Sequence, residues 1–249
     1  MNRRILAIDA GNTRIKCGLH DGRTWLLHHA VDIADVESGV AFCSADMVSE
    51  IDLIVISNVA GPSVGKAIEH QLQPLHKPIS VVTARASQCG VVNGYESPLQ
   101  LGSDRWAALI GARAAAKNES RAQLVIMCGT ALTVDALAAD GYFLGGIIVP
   151  GLELMQRALN QGTAQLPAEH GVYECFPGNT INAITSGALE ACAGAVTRMH
   201  AHLSARTGEV PCIIGSGGAM GALAPHLPFP VSINDNLVLD GLLVMASAT

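Results

Sequence analysis

The sequence predicts an α/β protein built from two similar lobes. The first observation is a repeat: an apolar strand, a glycine-containing turn and a stretch of alternating polar and apolar residues occur at 5–16 and again at 124–135. The copies lie about half a chain apart, which indicates two lobes, because repeat arrays have periods of about 20 to 50 residues. The second observation is that helix-like segments rich in Ala and Leu separate the strand-like runs. These runs occupy 51–57, 79–82, 124–127, 145–149 and 211–215.

The turn in each copy of the repeat is suited to phosphate binding. When the copies are aligned on their glycines, Gly11 faces Gly129 and Asp9 faces Met127. Glycine permits a positive φ and lets backbone N–H groups approach an anion closely. One such turn is equally well explained as an ordinary hairpin, but two copies in register favour phosphate binding. The short polar side chains beside the glycines belong to Asn12, Thr13 and Thr130.

Two helices organise the rest of the chain. The first is predicted over 103–117, because it begins with a capping-type serine and carries apolar residues at helical spacing until Asn118. If this helix joins the lobes, the N-terminal lobe covers 1–117 and the C-terminal lobe covers 118–249. The second helix is predicted over 180–203, where many small residues would let another helix pack closely.

The beginning of the first helix brings together groups that can act on a ligand. Asp104 and Arg105 follow Gly102 and Ser103 at the end of the helix where the dipole stabilises an ionised Asp and N–H groups can meet an anion. Asp104 could serve as a base, although Ser-Asp at a helix start is also common as plain capping. Tyr95 lies upstream in a turn-rich loop, where it could cover a ligand or pack the loop.

Composition and charge exclude several classes of protein. The chain has 249 residues, is 49% hydrophobic and carries a net charge of −6, so it can bury a large core and shows no basic footprint for nucleic acid. Asp9 ends the first apolar run too early for a signal peptide, and no stretch of about 18 apolar residues follows. We therefore expect a soluble, cytoplasmic protein that binds neither nucleic acid nor membrane.

Several familiar catalytic and metal-binding patterns are missing from the sequence. Its seven cysteines include no Cys-x-x-Cys and its nine histidines show no metal-ligand spacing, which indicates reduced core thiols and no zinc site. There is no Gly-x-x-x-x-Gly-Lys-Ser/Thr loop and no Gly-x-Ser-x-Gly elbow. These observations argue against P-loop kinases and α/β hydrolases.

Six motifs together resemble the type III pantothenate kinases of the acetate and sugar kinase, heat-shock chaperone and actin superfamily. Each motif alone is weak, but they occur in the family's order over nearly the whole chain. The resemblance implies two duplicated ribonuclease-H-like (actin-like ATPase) lobes, with a dimerisation helix in the second. It also implies a homodimer and ATP-dependent phosphorylation of pantothenate to 4'-phosphopantothenate, the first step of coenzyme A biosynthesis. The motifs lie at 9–16, 101–106, 129–135, 145–151, 179–180 with 186–187, and 237–242.

The resemblance implies a role for individual residues. Asp104 matches the family's proton acceptor, Asp9 is oriented towards Mg²⁺, and Thr130 matches the second nucleotide contact. Arg105 could hold the pantothenate carboxylate through two parallel hydrogen bonds. A loop of donors, one Mg²⁺ and one base are a sufficient inventory for phosphoryl transfer. The first phosphate loop consists of Asp9, Ala10, Gly11, Asn12, Thr13, Arg14, Ile15 and Lys16. The pantothenate contacts are Tyr95, Gly102, Ser103, Asp104, Arg105 and Thr180.

Met127 departs from the family pattern. This position is usually an aspartate associated with K⁺ or NH₄⁺, whereas a methionine thioether is a soft, neutral ligand that such ions do not favour. We therefore expect the monovalent-cation site to be lost, although a methionine here is also an ordinary core residue. One alternative is a non-catalytic regulatory or accessory protein on the same nucleotide-binding scaffold, against which Asp9 and Asp104 argue. Another is a sugar or polyphosphate enzyme of the superfamily, against which Tyr95 and the 102–106 motif argue.

Overall fold

The computed structural model describes residues 3–43, 51–116, 120–162 and 169–248. The chain divides into two compact units, of which the first comprises Met1–Lys117 together with Asn236–Thr249 and the second comprises Asn118–Asp235. The boundary predicted at Asn118 lies outside the described residues. The prediction also assigned the whole of 118–249 to one lobe, whereas Asn236–Thr249 groups with the first unit.

Among its described residues, the first unit holds a five-stranded sheet. The strands are β1 (Ile5–Ala10), β2 (Arg14–His20), β3 (Trp25–Asp32), β4 (Leu53–Asn58) and β5 (Ile79–Val81). They lie in the order β3-β2-β1-β4-β5. β1, β2 and β3 are antiparallel neighbours, while β4 is parallel to β1 and β5 is parallel to β4. A short hairpin follows, formed by β6 (Ser87–Gln88) and β7 (Val91–Asn93).

Side-chain alternation along β1 gives the sheet of the first unit two different faces. Among the described residues, the helices of this part of the chain are α1 (Ile33–Glu37), α2 (Pro62–Leu72) and α3 (Ser103–Ala115). Ile8 and Ala10 are fully buried in a core that includes Val64 and Ile68 of α2. Because successive side chains of a strand point to opposite faces, Asp9 faces the other side.

The second unit repeats the strand arrangement of the first. Its strands are β8 (Gln123–Cys128), β9 (Ala131–Leu137), β10 (Tyr142–Pro150), β11 (Cys212–Ser216) and β12 (Ser232–Ile233). They follow one another in the order β12-β11-β8-β9-β10, which is the order of the first sheet with β8 in the place of β1. β8 is antiparallel to β9 and parallel to β11, as β1 is to β2 and β4. The prediction of a duplicated α/β fold is confirmed.

A long helix covers the core of the second unit. The helices are α4 (Leu152–Gly162), α5 (Thr180–Thr207) and α6 (Met220–Leu223). α5 begins where Asn179 Oδ1 accepts a hydrogen bond from the Asn182 N–H at 2.9 Å, and it extends past the predicted end to Thr207, where Gly208 adopts a φ of 76°. Neither α5 nor any other described helix combines the length and the apolar composition needed to cross a membrane.

The last helix, α7 (Leu237–Ser247), packs on α3 in the first unit. Glycines at the crossing let the two backbones approach, since a Cβ on Gly241 would overlap the carbonyl oxygen of Ala107 and one on Gly111 would overlap that of Leu237. This close packing explains why the C-terminal residues belong to the first unit. It also gives a structural role to the motif at 237–242, to which the sequence alone assigns no contact with a ligand.

Candidate active site

The first predicted phosphate loop connects β1 to β2. Gly11 N–H donates to the carbonyl oxygen of Arg14 at 3.0 Å, and Asn12 and Thr13 are exposed at the tip of the turn. The sequence allowed for a positive φ at the loop glycines, but neither Gly11 nor Gly129 adopts one. A Cβ on Gly11 would stand 3.4 Å from its nearest neighbour, so the missing side chain mainly leaves the backbone open to a ligand.

Three polar residues lie side by side on adjacent strands next to this loop. Asp9 on β1 is directly opposite Lys16 on β2 and is also the register partner of Ser57 on β4. Side chains at paired positions of neighbouring strands point to the same face, so all three face away from the core around Ile8 and Ala10. The row combines a carboxylate, an ammonium and a hydroxyl at the carboxyl ends of the parallel strands β1 and β4. Ligands of α/β sheets commonly bind at such ends.

The beginning of α3 adds a second carboxylate to this region. Asp104 is the second residue of the helix, and its Oδ1 accepts a hydrogen bond from the Arg105 N–H at 2.8 Å. The preceding residue at the helix start is Gly102, and a Cβ there would stand only 2.5 Å from Asp104 Oδ1. A side chain at position 102 would therefore displace the Asp104 carboxylate from this position.

Burial shifts the pKa values of both carboxylates. The pKa of Asp9 is raised from 3.8 to about 7, mainly by burial and in smaller part by the negative charge of Asp104, while the positive charge of Lys16 opposes both. Asp9 Oδ1 is shielded from solvent and accepts no hydrogen bond in the structure. Burial also raises the pKa of Asp104, against the hydrogen bond and positive charge supplied by Arg105. These side chains form a half-buried anionic pair in which one oxygen lacks a partner.

Arg105 and Tyr95 are brought together beside Asp104. Arg105 is 5% exposed, its Nη1 donates to the Tyr95 hydroxyl at 3.1 Å, and its guanidinium lies 5.8 Å from the centre of the tyrosine ring. Tyr95 N–H in turn donates to Asn93 Oδ1 at 3.1 Å, which fixes the loop before α3. Two residues predicted as substrate contacts therefore form one unit, in which the buried Arg105 is paired with the partly exposed Tyr95.

Other residues of the predicted first loop lie elsewhere. The side chains of Ala10 and Ile15 are fully buried in the core on the opposite face of the sheet, so only their backbone could take part in ligand binding. Arg14 is exposed, and its Nε donates to Asp32 Oδ1 at 2.7 Å. Ser103, predicted as a substrate contact, is buried and bonds through its hydroxyl to Ser57.

The second unit carries the remaining predicted positions. Met127 is the residue before the last in β8, as Asp9 is in β1, and its strand neighbours are Thr133 and Ser216. Thr130 lies in the second loop, where its carbonyl oxygen accepts a hydrogen bond from the Gly151 N–H at 2.8 Å. The last of these positions is the exposed Thr180, the first residue of α5.

Ser57 was not among the residues predicted from the sequence. Its side chain has no exposed surface, and its Oγ lies 2.9 Å from Ser103 Oγ. The available signal was a polar residue at the last position of the strand-like run at 51–57. A serine at the end of a buried strand is common enough that this signal did not distinguish it.

The comparison with known proteins identifies the family. The profile of the type III pantothenate kinases matches residues 5–202, a range that contains both loops, the beginning of α3 and the beginning of α5. The chain belongs to the type III pantothenate kinase family. A member from Nitrosospira multiformis is 45% identical over 100% of this chain and 93% of its own length, and one from Aromatoleum aromaticum is 46% identical over 97% of each.

Solved structures with similar folds include two kinases. The inorganic polyphosphate/ATP-glucomannokinase of Arthrobacter superposes with a TM-score of 0.51 at 16% identity, covering 100% of both chains. A glucokinase from an Antarctic psychrotroph gives a TM-score of 0.51 at 12% identity, again covering 100% of both. At these identities the likeness concerns the fold, and it agrees with the sugar kinase and actin-like architecture implied by the family resemblance.

The residues present fit a nucleotide-bound Mg²⁺. This ion is usually held through one or two carboxylates together with substrate phosphates and water. Asp9 offers a shielded oxygen with no hydrogen-bond partner, and the neighbouring Asp104 adds negative charge that a divalent cation would offset. In the described part of the chain, no three His, Cys, Asp or Glu side chains cluster as an all-protein metal site. The arrangement suits a metal that arrives with its phosphates.

Proposed function

We propose that this protein transfers the γ-phosphoryl group of ATP to the primary hydroxyl of pantothenate, giving 4'-phosphopantothenate at the start of coenzyme A biosynthesis. Membership of the type III pantothenate kinase family supports the substrate and the reaction. The observation that carries the proposal is the pair formed by Asp9, with its unpartnered oxygen, and Asp104 at the helix start. In this proposal Asp9 binds the metal ion and Asp104 accepts the proton.

Asp104 accepts the proton of the attacking hydroxyl in this proposal. Burial raises its pKa above the ordinary value of an aspartate, which makes the carboxylate a stronger base than an exposed aspartate. The hydrogen bond from Arg105 N–H to Oδ1 fixes its orientation at the beginning of α3. Arg105, held against Tyr95, supplies a guanidinium suited to the carboxylate of pantothenate.

The nucleotide phosphates are bound in this proposal by Asp9, by Lys16 and by the open backbone of the loop around Gly11. Mg²⁺, when bound, neutralises charge on the β- and γ-phosphates. Asp9 would hold this ion, and Lys16, directly opposite on β2, would place its ammonium beside the phosphates. Thr130 in the second unit is proposed as a further nucleotide contact and Thr180 as a further pantothenate contact.

The test of this function is the Asp104→Asn variant. Asn keeps the size of the side chain but cannot accept the proton, so kcat should fall by on the order of 10²–10⁴ with little change in thermal stability. Product formation is followed by mass spectrometry with Mg²⁺ and ATP. The exposed Asp35→Asn variant is the matched control, and it should retain full activity.

Two outcomes would count against the proposal in different ways. If Asp104→Asn lowers the melting temperature and turns over normally, Asp104 is only a helix cap. If the unmodified, folded protein makes no phosphopantothenate at any monovalent salt, the regulatory alternative replaces the kinase.

We also propose that the enzyme does not depend on a specific monovalent cation. Met127 offers a thioether where Asp9 offers a carboxylate in the first unit, and its register neighbours Thr133 and Ser216 are uncharged. Asp135, the nearest acidic residue along β9, is fully buried, and a Cβ on its partner Gly146 would overlap it. K⁺ and NH₄⁺ prefer hard oxygen ligands, so the position of Met127 does not favour them.

A homodimer in the cytoplasm completes the proposal. The family resemblance supports dimerisation, and the second unit exposes Val172 and Phe176, which are 64% and 96% exposed, beside the beginning of α5. Exposed apolar surface can mark an interaction site, and we propose these two side chains as part of the dimer interface. Light scattering coupled to size-exclusion chromatography measures the assembly, and a monomer at micromolar concentration would contradict it.

A further inference from the structure

A buried hydrogen bond joins the central sheet of the first unit to the helix that carries Asp104. Ser57 Oγ and Ser103 Oγ lie 2.9 Å apart, and the two residues are 0% and 9% exposed. Ser57 is the residue before the last in β4, while Ser103 is the first residue of α3. Because the pair is shielded from water, loss of either hydroxyl would leave the other without this partner.

The residue that precedes α3 supplies no side-chain cap to the helix. Helices usually begin with a Ser, Thr, Asp or Asn whose side chain accepts a hydrogen bond from the first turn. Here the cap position is Gly102, which makes no side-chain bond, and a Cβ at this position would stand 2.5 Å from Asp104 Oδ1, so a larger residue would displace the Asp104 side chain. In place of a side-chain cap, the hydrogen bond between the Ser103 and Ser57 hydroxyls attaches the beginning of α3 to strand β4.

The same serine is tied to the position of Asp9. Ser57 is the register partner of Asp9 across the parallel β1 and β4 strands, and both side chains face the same side of the sheet. One end of the link is therefore set by the strand pairing that places Asp9. Its other end lies immediately before Asp104 in the chain.

We infer that Ser57 is a positioning residue, which holds the base Asp104 at a fixed distance from the metal-binding Asp9 through its bond to Ser103. The inference rests on the proposed roles of these two carboxylates. Ser57 does not touch the reacting atoms. Its effect is on the placement of Asp104, and displacements of about 1 Å at a reacting group can lower a rate by about 10²-fold.

The Ser57→Ala variant tests this role through kcat and KM. The expected result is a fall in kcat of roughly 10- to 100-fold, with the KM for ATP changed less than about twofold, since the loop around Gly11 is left intact. Ser103→Ala removes the other end of the same bond and should give a similar fall. Ser57→Cys, which keeps a small polar group, should recover part of the activity. The exposed Ser80→Ala variant on β5 is the control.

A double-mutant cycle with Asp104→Asn separates positioning from general destabilisation. If Ser57 acts by placing Asp104, Ser57→Ala should lower kcat by less than about threefold once the carboxylate has been removed. A structural defect elsewhere would lower kcat equally in both backgrounds. Circular dichroism and thermal melts select the folded variants, and Ser103→Ala takes the place of Ser57→Ala in the cycle if the latter does not fold.

Each outcome bears on one of the two hypotheses. Normal kcat in Ser57→Ala and Ser103→Ala, or the same fall with and without Asp104, would overturn the positioning role while leaving the kinase function intact. Normal kcat in Asp104→Asn, by contrast, would overturn the proposed base itself. The unmodified protein, assayed with ATP, Mg²⁺ and pantothenate, is the reference for all of them.

Discussion

The charge of Asp9 should destabilise the folded protein when no cation is bound, and Asp9→Asn should remove this cost. The pKa of Asp9 is raised from 3.8 to about 7, first by burial and then by Asp104. Between pH 3.8 and about pH 7, Asp9 keeps its proton in the folded state but has lost it in the unfolded state. The free energy of unfolding therefore falls as the pH rises from about 4 to about 7, and the loss is complete above that range. A pKa difference of about 3 corresponds to at most about 4 kcal/mol.

The dependence on pH gives this prediction its magnitude. At pH 5 at most about 1.5 kcal/mol of the cost is present, because Asp9 is still protonated in the folded state, whereas at pH 8.5 the full amount is present. For a chain of this size, 1 kcal/mol shifts the melting temperature by about 2–4 °C. The gap between Asp9→Asn and the unmodified protein should therefore widen by up to about 5–10 °C between these pH values.

The assay is thermal denaturation followed by circular dichroism at pH 5, 7 and 8.5, first without ligands. Asp35→Asn, which changes an exposed carboxylate, controls for the loss of one charge. Addition of Mg²⁺ and ATP at pH 8.5 should stabilise the unmodified protein more than Asp9→Asn, because only the former retains the proposed metal ligand. A gap that stays constant with pH, or an Asp9→Asn variant that is the less stable at pH 8.5 without ligands, would refute the reasoning.

Three further predictions concern the ion, the helix start and the substrate. Activity of the unmodified protein should be similar in Na⁺ and K⁺ buffers, and a steep K⁺ requirement would contradict this. Met127→Asp should create a requirement for K⁺ or NH₄⁺, whereas the control variant Met127→Leu should not. Gly102→Ala should lower kcat by about 10-fold or more, because the added Cβ would stand 2.5 Å from Asp104 Oδ1 and would displace the carboxylate. The measurement is steady-state kinetics, and an unchanged kcat would show that the helix start can shift without loss of activity. Tyr95→Phe removes the hydroxyl that contacts Arg105 and should raise the KM for pantothenate about 3- to 10-fold with little effect on that for ATP, as substrate titrations would reveal.

The features that could be predicted from the sequence are those that depend on residues close together in the chain. The strand, glycine turn and strand of each lobe could be recognised because side-chain alternation and turn composition are local properties, and the identical strand order of the two units confirms the duplication. The position of Asp9 two residues before Gly11 and of Asp104 in the first turn of a helix could be read in the same way.

Other features depended on contacts between distant parts of the chain. The boundary predicted near Asn118 places the C-terminal residues in the second lobe, but Gly241 packs against the backbone of Ala107, and Asn236–Thr249 groups with the first unit. Ile15 belongs to the loop motif, yet its side chain is buried in the core, because strand alternation turns it away from Asp9.

The sequence by itself determined the duplicated α/β architecture, the family and the chemical types available to the site. Only the tertiary structure decided that Asp9 and Asp104 lie close enough for one charge to raise the pKa of the other, and that Ser57 links their positions. The physical reason is that strand register and helix placement follow from packing across the whole unit. A pKa or a buried hydrogen bond depends on that packing, since desolvation is a property of the folded surroundings and not of the local sequence.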